Sequence, residues 1–205
     1  MSIPRTARLP AAERRESILA AAETVFGERG YTGATTDVIA TVAGISQAYV
    51  IRTFGSKEAL FVATAQRALD RVAEAFRDAI ADADTEPRGR VEPLLGAAYA
   101  QLVQDRGTLL ILLHLFTLGH DPVIGPVARE GFLSTYRILR DEAGLSSERA
   151  TAFLANGMMV NIILGLRLPG LAADDGAARE LLTATFRENT ELVLKLFGAD
   201  AGPLS

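Results

Sequence analysis

Apolar residues recur at intervals of three and four along almost the whole chain of 205 residues, and no segment shows sustained alternation of apolar and polar residues. That interval is the period of a helix with one buried face, whereas a half-buried strand alternates. We therefore predict an all-α protein of about nine helices. The predicted helices cover residues 13–29, 37–43, 47–54, 57–81, 92–105, 107–118, 123–142, 147–166 and 177–197.

The residue inventory excludes several kinds of chemistry. The chain has no cysteine, so disulfides, zinc–thiolate sites and cysteine nucleophiles are ruled out, and it has only two histidines. It contains no glycine-rich phosphate loop after a strand, no carboxylate–histidine metal spacing and no turn of the nucleophile-elbow type. We expect no enzyme activity, no cofactor and no metal site. Apolar residues form 49% of the chain, which is ample for a buried core.

The N-terminal segment, residues 1–12, carries Arg5 and Arg8 without an apolar stretch behind them. This is not the pattern of a secretory signal, and we expect a short disordered basic arm. The uncharged run at residues 150–166 includes two asparagines, and its 17 residues are too few and too polar for a good membrane span. These features, with the lack of cysteine, predict a cytoplasmic protein that does not enter a membrane.

Residues 13–60 are predicted to form a helix-turn-helix domain. Gly30 stands where a helix end favours a left-handed residue, and Thr35 and Thr36 can cap the short helix that follows. In the turn Gly44-Ile45-Ser46, the glycine supplies backbone freedom, the isoleucine fills the space between the helices, and the serine caps the next short helix. Such a pair, backed by a longer helix, can place its second helix in a major groove. The inward-facing residues of the first short helix are predicted to be Val38, Ile39 and Val42.

The same segment resembles the N-terminal signature of the TetR family of bacterial regulators over about residues 13–62. The matching positions agree in order and spacing without a gap, and they are Phe26, Gly30-Tyr31, Thr35-Thr36, Ile39-Ala40, Ala43-Gly44-Ile45-Ser46, Phe54-Gly55-Ser56-Lys57-Glu58 and Leu60. The second short helix, the recognition helix, departs from the family pattern. The family commonly has Gly-Thr after the turn serine, then a tyrosine, and an aromatic residue or histidine just before the phenylalanine. Those places here read Ala48, Tyr49, Ile51 and Thr53, so the usual aromatic phosphate contact is missing at Ile51.

The resemblance and the chemistry of the side chains together predict the residues that contact DNA. Gln47 and Tyr49 begin the recognition helix; a glutamine can pair with adenine, and Tyr49 can pack on a thymine methyl group, bond a phosphate or only pack on the surface. Thr36 and Lys57 lie at helix N-termini, which favour phosphate, although Lys57 can also be a solvated charge beside Glu58. The predicted DNA-binding residues are Thr36, Ser46, Gln47, Ala48, Tyr49, Arg52, Thr53 and Lys57.

The C-terminal part, residues 61–198, is predicted to be a helical domain for ligand binding and dimerisation. The uncharged helix at residues 150–166 must be buried on more than one side, either in the core of a monomer or partly against a second subunit. The resemblance implies a homodimer through a four-helix bundle of the last two long helices, and a dimer suits a near-palindromic operator. The final helix adds an apolar stripe of Leu181, Leu182, Phe186, Leu192, Val193, Leu196 and Phe197.

The resemblance also implies an internal site for an unidentified small molecule. Apolar and aromatic residues from different predicted helices, with a few polar tips, can line such a cavity, although each of them can also be ordinary core. This lining suggests an apolar or aromatic ligand. The candidate residues are Tyr99, His114, Phe116, Phe132, Tyr136, Met158 and Asn161.

These features together predict a sequence-specific transcriptional regulator, in the simplest form a repressor that the ligand releases from double-stranded DNA. Residues 1–60 hold seven Lys/Arg and six Asp/Glu, while the whole chain has a net charge of −4, so the remainder is the more acidic part. This mild asymmetry fits a DNA-binding head without establishing one. The alternatives left open are an activator and a helical ligand-binding or protein-interaction module with a repurposed head.

Overall fold

The computed structural model describes residues 10–85 and 91–198, and within these ranges the chain forms ten α-helices and no β-strand. The all-α prediction is confirmed. Arg5 and Arg8 of the predicted arm lie outside the described residues, and the first helix begins at Ala11. The helices are α1 (Ala11–Gly33), α2 (Thr36–Val42), α3 (Gln47–Phe54), α4 (Lys57–Thr85), α5 (Val91–Leu102), α6 (Arg106–Thr117), α7 (Ile124–Arg137), α8 (Ser147–Gly165), α9 (Gly176–Phe186) and α10 (Thr190–Phe197).

An aromatic cluster joins α1 to α4 in the N-terminal domain. Phe26 and Phe61 are fully buried and meet edge to face, with 5.0 Å between their ring centroids. Tyr31 packs on both rings, with its centroid 5.1 Å from that of Phe61 and 6.3 Å from that of Phe26. Tyr31 reaches this cluster because α1 bends at Gly30, whose φ is +66°. Glycine adopts a positive φ more readily than any other residue. The predicted left-handed residue at Gly30 is therefore confirmed.

Three hydroxyl caps and one glycine turn set the geometry of the short helices. Each cap accepts a bond from a backbone N–H group that has no partner in its own helix, as the sequence predicts. Gly44 has a φ of +66° in the turn between α2 and α3, and Ile45 is half-buried there against the core. The capping pairs are Thr35 with Val38 (3.3 Å), Ser46 with Tyr49 (3.3 Å) and Ser56 with Ala59 (3.0 Å).

The prediction for the inner face of α2 is correct for Ile39, which is fully buried, and wrong for Val42, which is 56% exposed. The buried face of this helix consists of Thr36, Ile39 and Ala40. Because each residue turns a helix by about 100°, Val42 falls outside that face. The short helix thus leaves one large apolar side chain in solvent.

The long helix α4 is the centre of the structure, since it packs against α1, α5, α6 and α7. Its buried side chains extend from Leu60 beside the N-terminal domain to Phe76 in the C-terminal core. The predicted helix 123–142 appears as α7 followed by a π-helical turn, Ile138–Glu142. One continuous helix, α4, therefore belongs to both predicted domains.

The apolar stripe of the predicted last helix is divided between α9 and α10. Helix α9 ends at Phe186, Arg187 has a φ of +51°, and α10 begins at Thr190. The Thr190 hydroxyl donates to the carbonyl of Arg187 at 2.6 Å, a local bond that competes with a continuous helix. The prediction of one helix over 177–197 is therefore wrong. Leu182 and Val193 are buried, whereas the exposed members of the stripe are Leu181, Leu192 and Leu196.

Candidate nucleic-acid interface and internal cavity

The recognition helix α3 is anchored on one side and open on the other. Val50 is fully buried in the core of the N-terminal domain. The side chains of Gln47, Ala48, Ile51 and Arg52 are exposed, and their spacing puts them on one face over successive turns. This face is the surface that α3 can present to another molecule.

Three guanidinium groups lie beside the aromatic residues of α3. The half-buried ring of Tyr49 has Arg52 at 4.7 Å and Arg14 at 5.6 Å from its centroid, and Arg15 lies 5.2 Å from the ring of Phe54. Cations at these distances are attracted to the ring faces. Arg14 and Arg15 are not among the predicted site residues, because nothing in local spacing connects α1 to residues of α3. They add positive charge to the surroundings of the recognition helix, which favours a polyanion such as DNA.

Two of the predicted contact residues hold α2 against α3. The side-chain amide of Gln47 donates to the hydroxyl oxygen of Thr36 at 2.9 Å, and Thr36 is only 8% exposed. The Thr53 hydroxyl donates to the carbonyl of Tyr49 at 2.8 Å within α3. The structure thus gives Thr36 a role inside the domain, while Gln47 stays exposed at the start of α3.

The ammonium group of Lys57 makes two hydrogen bonds within the N-terminal part of the chain. Its ammonium group donates to the carbonyl oxygens of Tyr31 at 2.9 Å and Ala34 at 3.2 Å, and it lies 4.7 Å from the centre of the Tyr31 ring. These bonds satisfy carbonyl groups at the C-terminal end of α1, which lack helical partners. Lys57 therefore fixes the junction of α1, α2 and α4.

A buried polar cluster connects the N-terminal domain to the C-terminal domain. Glu23 of α1 is 4% exposed, and its carboxylate accepts bonds from Arg67, from Arg71 at 3.2 Å and from the Thr108 hydroxyl at 2.5 Å. Arg71 also donates to Asp105 at 3.2 Å. Burial opposes ionisation of Asp105, but bonds from Arg71, Thr108 and a backbone N–H hold its pKa below the usual value. The cluster ties α1 to α4 and α6.

His114 lies at the same junction of α1 and α6. Its Nε2 is 3.2 Å from the carbonyl oxygen of Gly27, and its ring is 3.5 Å from the position where a side chain at Gly30 would begin. His114, which is predicted to line the cavity, is thus a contact between α6 and α1. The sequence shows an apolar helix around His114, but it does not show which neighbour that side of the helix meets.

A small cavity of about 50 Å³ lies between the helices of the C-terminal domain. Five of the seven predicted pocket residues line it; His114 does not, and Tyr136 packs beside Arg140 instead. The Tyr99 hydroxyl donates to Oδ1 of Asn161 at 2.7 Å, and burial raises the pKa of Tyr99 to about 12. The lining residues are Leu69, Val72, Phe76, Tyr99, Leu112, Phe116, Phe132, Thr135, Phe153, Leu154, Gly157, Met158 and Asn161.

Helix α4 contributes to both the cavity and the polar cluster. Leu69, Val72 and Phe76 line the cavity, while Arg67 and Arg71 of the same helix bind Glu23. A helix is stiff over this distance, because its backbone bonds link every turn to the next. A change in cavity volume that shifts α4 would therefore reach α1.

Exposed apolar side chains also lie on α8, at its C-terminal end and on α10, and we call them together the α8–α10 face. It has no charged residue on α8 between Ala150 and Gly165. A cleft of about 1050 Å³ separates α5 and α8 from α10, and Gly157, Val160 and Leu196 are among its walls. No helix within the described ranges is long and apolar enough to cross a membrane. The exposed residues of this face are Met159, Ile162, Leu166, Leu192 and Leu196.

The N-terminal part of the chain is similar in sequence to known regulatory proteins. Residues 18–64 match the family model for bacterial regulatory proteins of the tetR family. The chain is 37% identical over 98 residues to the HTH-type transcriptional activator FasR of Mycolicibacterium smegmatis, covering 48% of this chain and 44% of that one. It is 36% identical over 88 residues to the HTH-type transcriptional regulator BetI of Rhizobium meliloti, covering 42% of each. The match thus spans less than half the length of these curated relatives.

Solved structures share the complete fold. A Pseudomonas aeruginosa PAO1 protein assigned as a transcriptional regulator superposes with a TM-score of 0.63 at 21% identity, over 95% of this chain and 98% of that one. The multidrug binding protein EbrR in complex with imidazole gives a TM-score of 0.53 at 24% identity, over 90% and 97%. The match over residues 18–64 confirms that the N-terminal segment resembles the tetR family of bacterial regulatory proteins, and the superpositions show that the chain shares its fold with these solved structures.

Proposed function

We propose that this protein is a sequence-specific DNA-binding transcriptional regulator that acts as a homodimer. The observation that carries the proposal is the recognition helix α3, whose open face is bordered by the guanidinium groups of Arg14, Arg15 and Arg52. An exposed helix of this kind, held by a second short helix, fits a major groove. The guanidinium groups supply contacts to phosphate, which set register and orientation, while Gln47 reads base edges.

The α8–α10 face supports the proposed homodimer. Ile162 of α8, Leu166 directly after α8 and Leu192 of α10 are 46%, 64% and 54% exposed, which is costly for a monomer in water. The cleft between α8 and α10 is too large for their own side chains to fill. Helices of a second copy, packed in a four-helix arrangement, would cover this surface. A two-fold dimer would then present two α3 helices to a near-palindromic operator.

A ligand of the apolar or aromatic type is proposed for the cavity. Its wall is apolar except for the Tyr99–Asn161 pair and Thr135, and a few such polar groups are typical of small-molecule sites. EbrR, which shares the fold, is a multidrug binding protein. The cavity of about 50 Å³ is smaller than the roughly 300–1,000 Å³ of usual ligand sites, so a ligand-bound state requires its walls to move apart.

Movement of the cavity wall gives the proposed mechanism of regulation. Three of the wall residues belong to α4, and α4 holds α1 through the Glu23 cluster. A ligand that binds the expanded conformation more tightly shifts the dimer away from the head spacing that suits the operator. The protein is then a repressor released by its ligand. The same coupling works with the opposite sign in an activator, and FasR is an activator.

Binding to DNA is tested with the duplex that adjoins the protein's own coding region, by gel shift at two salt concentrations. We expect specific binding that weakens steeply as salt rises, because phosphate contacts release counterions. Tyr49→Ala should reduce the affinity, since it removes the ring that holds Arg14 and Arg52. Tyr136→Ala is the matched control, because Tyr136 also carries an arginine, Arg140, but lies in the C-terminal domain.

The rival proposal, an interaction module with a repurposed head, makes the opposite prediction. It would give no salt-dependent binding to any duplex, and Tyr49→Ala would behave as Tyr136→Ala does. The ligand is tested separately, by thermal melting with a set of apolar aromatic compounds and the variant Asn161→Leu. A compound that raises the melting temperature of the native protein and not of the variant should also change the affinity for the operator.

A further inference from the structure

The exposed face of α3 carries an apolar patch at its centre, formed by Ala48 and Ile51. Ile51 is 40% exposed, and Ala48 is exposed one turn before it. Residues three apart on a helix are neighbours, so the two side chains form one continuous surface. Gln47 and Arg52 flank the patch along the helix. The exposed Ile51 side chain can form no hydrogen bond or ion pair with water or with a phosphate group.

We propose that Ala48 and Ile51 read the 5-methyl groups of thymine in the operator. This inference rests on the proposed function, and it adds the chemistry of the base that the head selects. In the major groove, thymine is the base that offers an apolar group, and apolar side chains discriminate it by removing that methyl group from water.

The surroundings of the patch favour DNA over a protein partner. The guanidinium groups of Arg14, Arg15 and Arg52 border α3, whereas the α8–α10 face has a broad apolar surface. One isoleucine and one alanine side chain bordered by arginines offer too little area for a stable protein interface, which buries about 800 Å² on each partner. The charge is complementary to phosphate on both sides of a groove.

The position of the patch is fixed by the bonds that hold α3. Ser46 caps its first turn, and the Gln47 side chain is bonded to Thr36 of α2 at 2.9 Å. At the other end, the N–H of Gly55 donates to the carbonyl of Ile51 at 2.7 Å. Val50 on the opposite side is fully buried. Ile51 therefore meets the groove at a defined depth, as methyl recognition requires.

The test begins by selecting binding sites from a library of random duplexes. The native protein, Ile51→Ala and the control Val42→Ala are each used, and the enriched sequences are compared. Val42 is also a β-branched apolar residue, 56% exposed in the same domain, but it lies on α2. Each thymine of the enriched site is then replaced singly by deoxyuridine, which removes only the methyl group, and the affinity is measured.

We expect one or more deoxyuridine positions in each half-site to weaken native binding about fourfold, the effect of leaving one methyl group unburied. Val42→Ala should show the same dependence, while Ile51→Ala should lose it at one or more of these positions. All three proteins should melt at similar temperatures, since both truncated side chains are exposed.

The outcomes separate this inference from the proposed function. If the native protein enriches no sequence, the proposed DNA-binding function fails, and the inference fails with it. If it enriches a sequence whose affinity is unaffected by every deoxyuridine, the regulator stands and methyl recognition is overturned. The inference is also overturned if Ile51→Ala keeps the full methyl dependence, because another side chain then makes the contact. If the patch instead binds a protein partner, replacing thymine by deoxyuridine will not change the affinity for DNA, which also overturns the inference.

Discussion

The two exposed apolar surfaces of this molecule differ in what surrounds them. The patch on α3 is small and is bordered by arginines, whereas the α8–α10 face extends over two helices, and α8 carries no charge after Arg149 until the helix ends. An apolar group bordered by cations suits a groove between phosphates, while a broader apolar surface suits the equivalent surface of a second copy. The residues that border each apolar surface therefore indicate its partner better than the apolar residues themselves do.

The two surfaces also differ in how they are held. Helix α3 is fixed by a serine cap, a glycine turn and a side-chain bond to α2. In the α8–α10 face, by contrast, a cleft separates α10 from α8, and Arg187, with its positive φ, separates α10 from α9. The first surface is complete within one chain. The second needs helices of another copy to fill it, so its geometry depends on assembly.

The largest expected effect comes from placing a charge on the α8–α10 face. Ile162→Asp would bury two carboxylates in a symmetric interface, where each costs several kcal/mol without a partner. We expect dimerisation to weaken at least about 1,000-fold, leaving a folded monomer at micromolar concentration. Analytical ultracentrifugation gives the mass, and circular dichroism confirms the helices.

The same substitution on α3 provides the matched control. Ile51→Asp should leave the dimer intact, because α3 lies outside the α8–α10 face, and it should abolish operator binding by repelling phosphate. A dimer that survives Ile162→Asp would contradict the role assigned to the α8–α10 face. Loss of the dimer in Ile51→Asp would show that the two surfaces are not separate.

The next effect in size concerns the connection between the two regions. Glu23→Gln removes the buried charge that pairs with Arg67 and Arg71. Breaking such a pair is costly, but both arginines are about 30% exposed and can be hydrated, so we expect a loss of about 2 kcal/mol in the free energy of unfolding. Urea denaturation measures it, and hydrogen exchange should become faster in α1.

The exposed Glu28 of the same helix offers the control variant, Glu28→Gln, which should change stability by less than about 0.5 kcal/mol. Equal effects of the two substitutions would mean that the Glu23 cluster does not hold the domains together. Unchanged exchange in α1, with lower global stability, would assign Glu23 to the core of the fold and remove it from the proposed regulation.

The Glu23 cluster also shows where reasoning from sequence ends. The caps at Thr35, Ser46 and Ser56 and the turn at Gly44 are predictable, because a cap or a tight turn depends on residues within four positions. Glu23 meets Arg67 and Thr108 across 44 and 85 positions of the chain. Nothing in the spacing of these residues indicates the contact, since it follows from how α1, α4 and α6 pack.

The cavity is partly predictable for a related reason. Apolar spacing shows that Tyr99, Phe116 and Asn161 belong to helices with buried faces, and all three line the cavity. The same spacing also selects His114, which instead meets Gly27 of α1. The spacing of apolar residues shows that a side chain is buried. A helix that packs against two neighbours, however, has two buried sides. Only the packing decides which one holds the cavity.

A smaller effect is expected from removing one of the arginines that border the apolar patch of α3. Arg52→Gln removes one guanidinium group from the border of α3 in each subunit. We expect operator affinity to fall about tenfold at low salt, and the slope of log affinity against log salt to decrease by about one for each phosphate that the variant no longer neutralises. Dimerisation through an apolar surface should not weaken as salt rises. An unchanged slope would show that Arg52 does not bind phosphate.

The smallest effect concerns Tyr99, whose hydroxyl is bonded to the buried Asn161. Tyr99→Phe leaves Oδ1 of Asn161 without that donor, and we expect a loss of about 1 kcal/mol near neutral pH. The raised pKa of about 12 gives the sign of the pH dependence. An unfolded tyrosine ionises near pH 10 and the folded one near pH 12, so the stabilisation is complete below pH 10 and is lost between these values. The stability difference between native protein and variant should therefore shrink as pH rises through this window, measured by urea denaturation. A difference that does not shrink through this window would show that the cavity does not isolate Tyr99 from water.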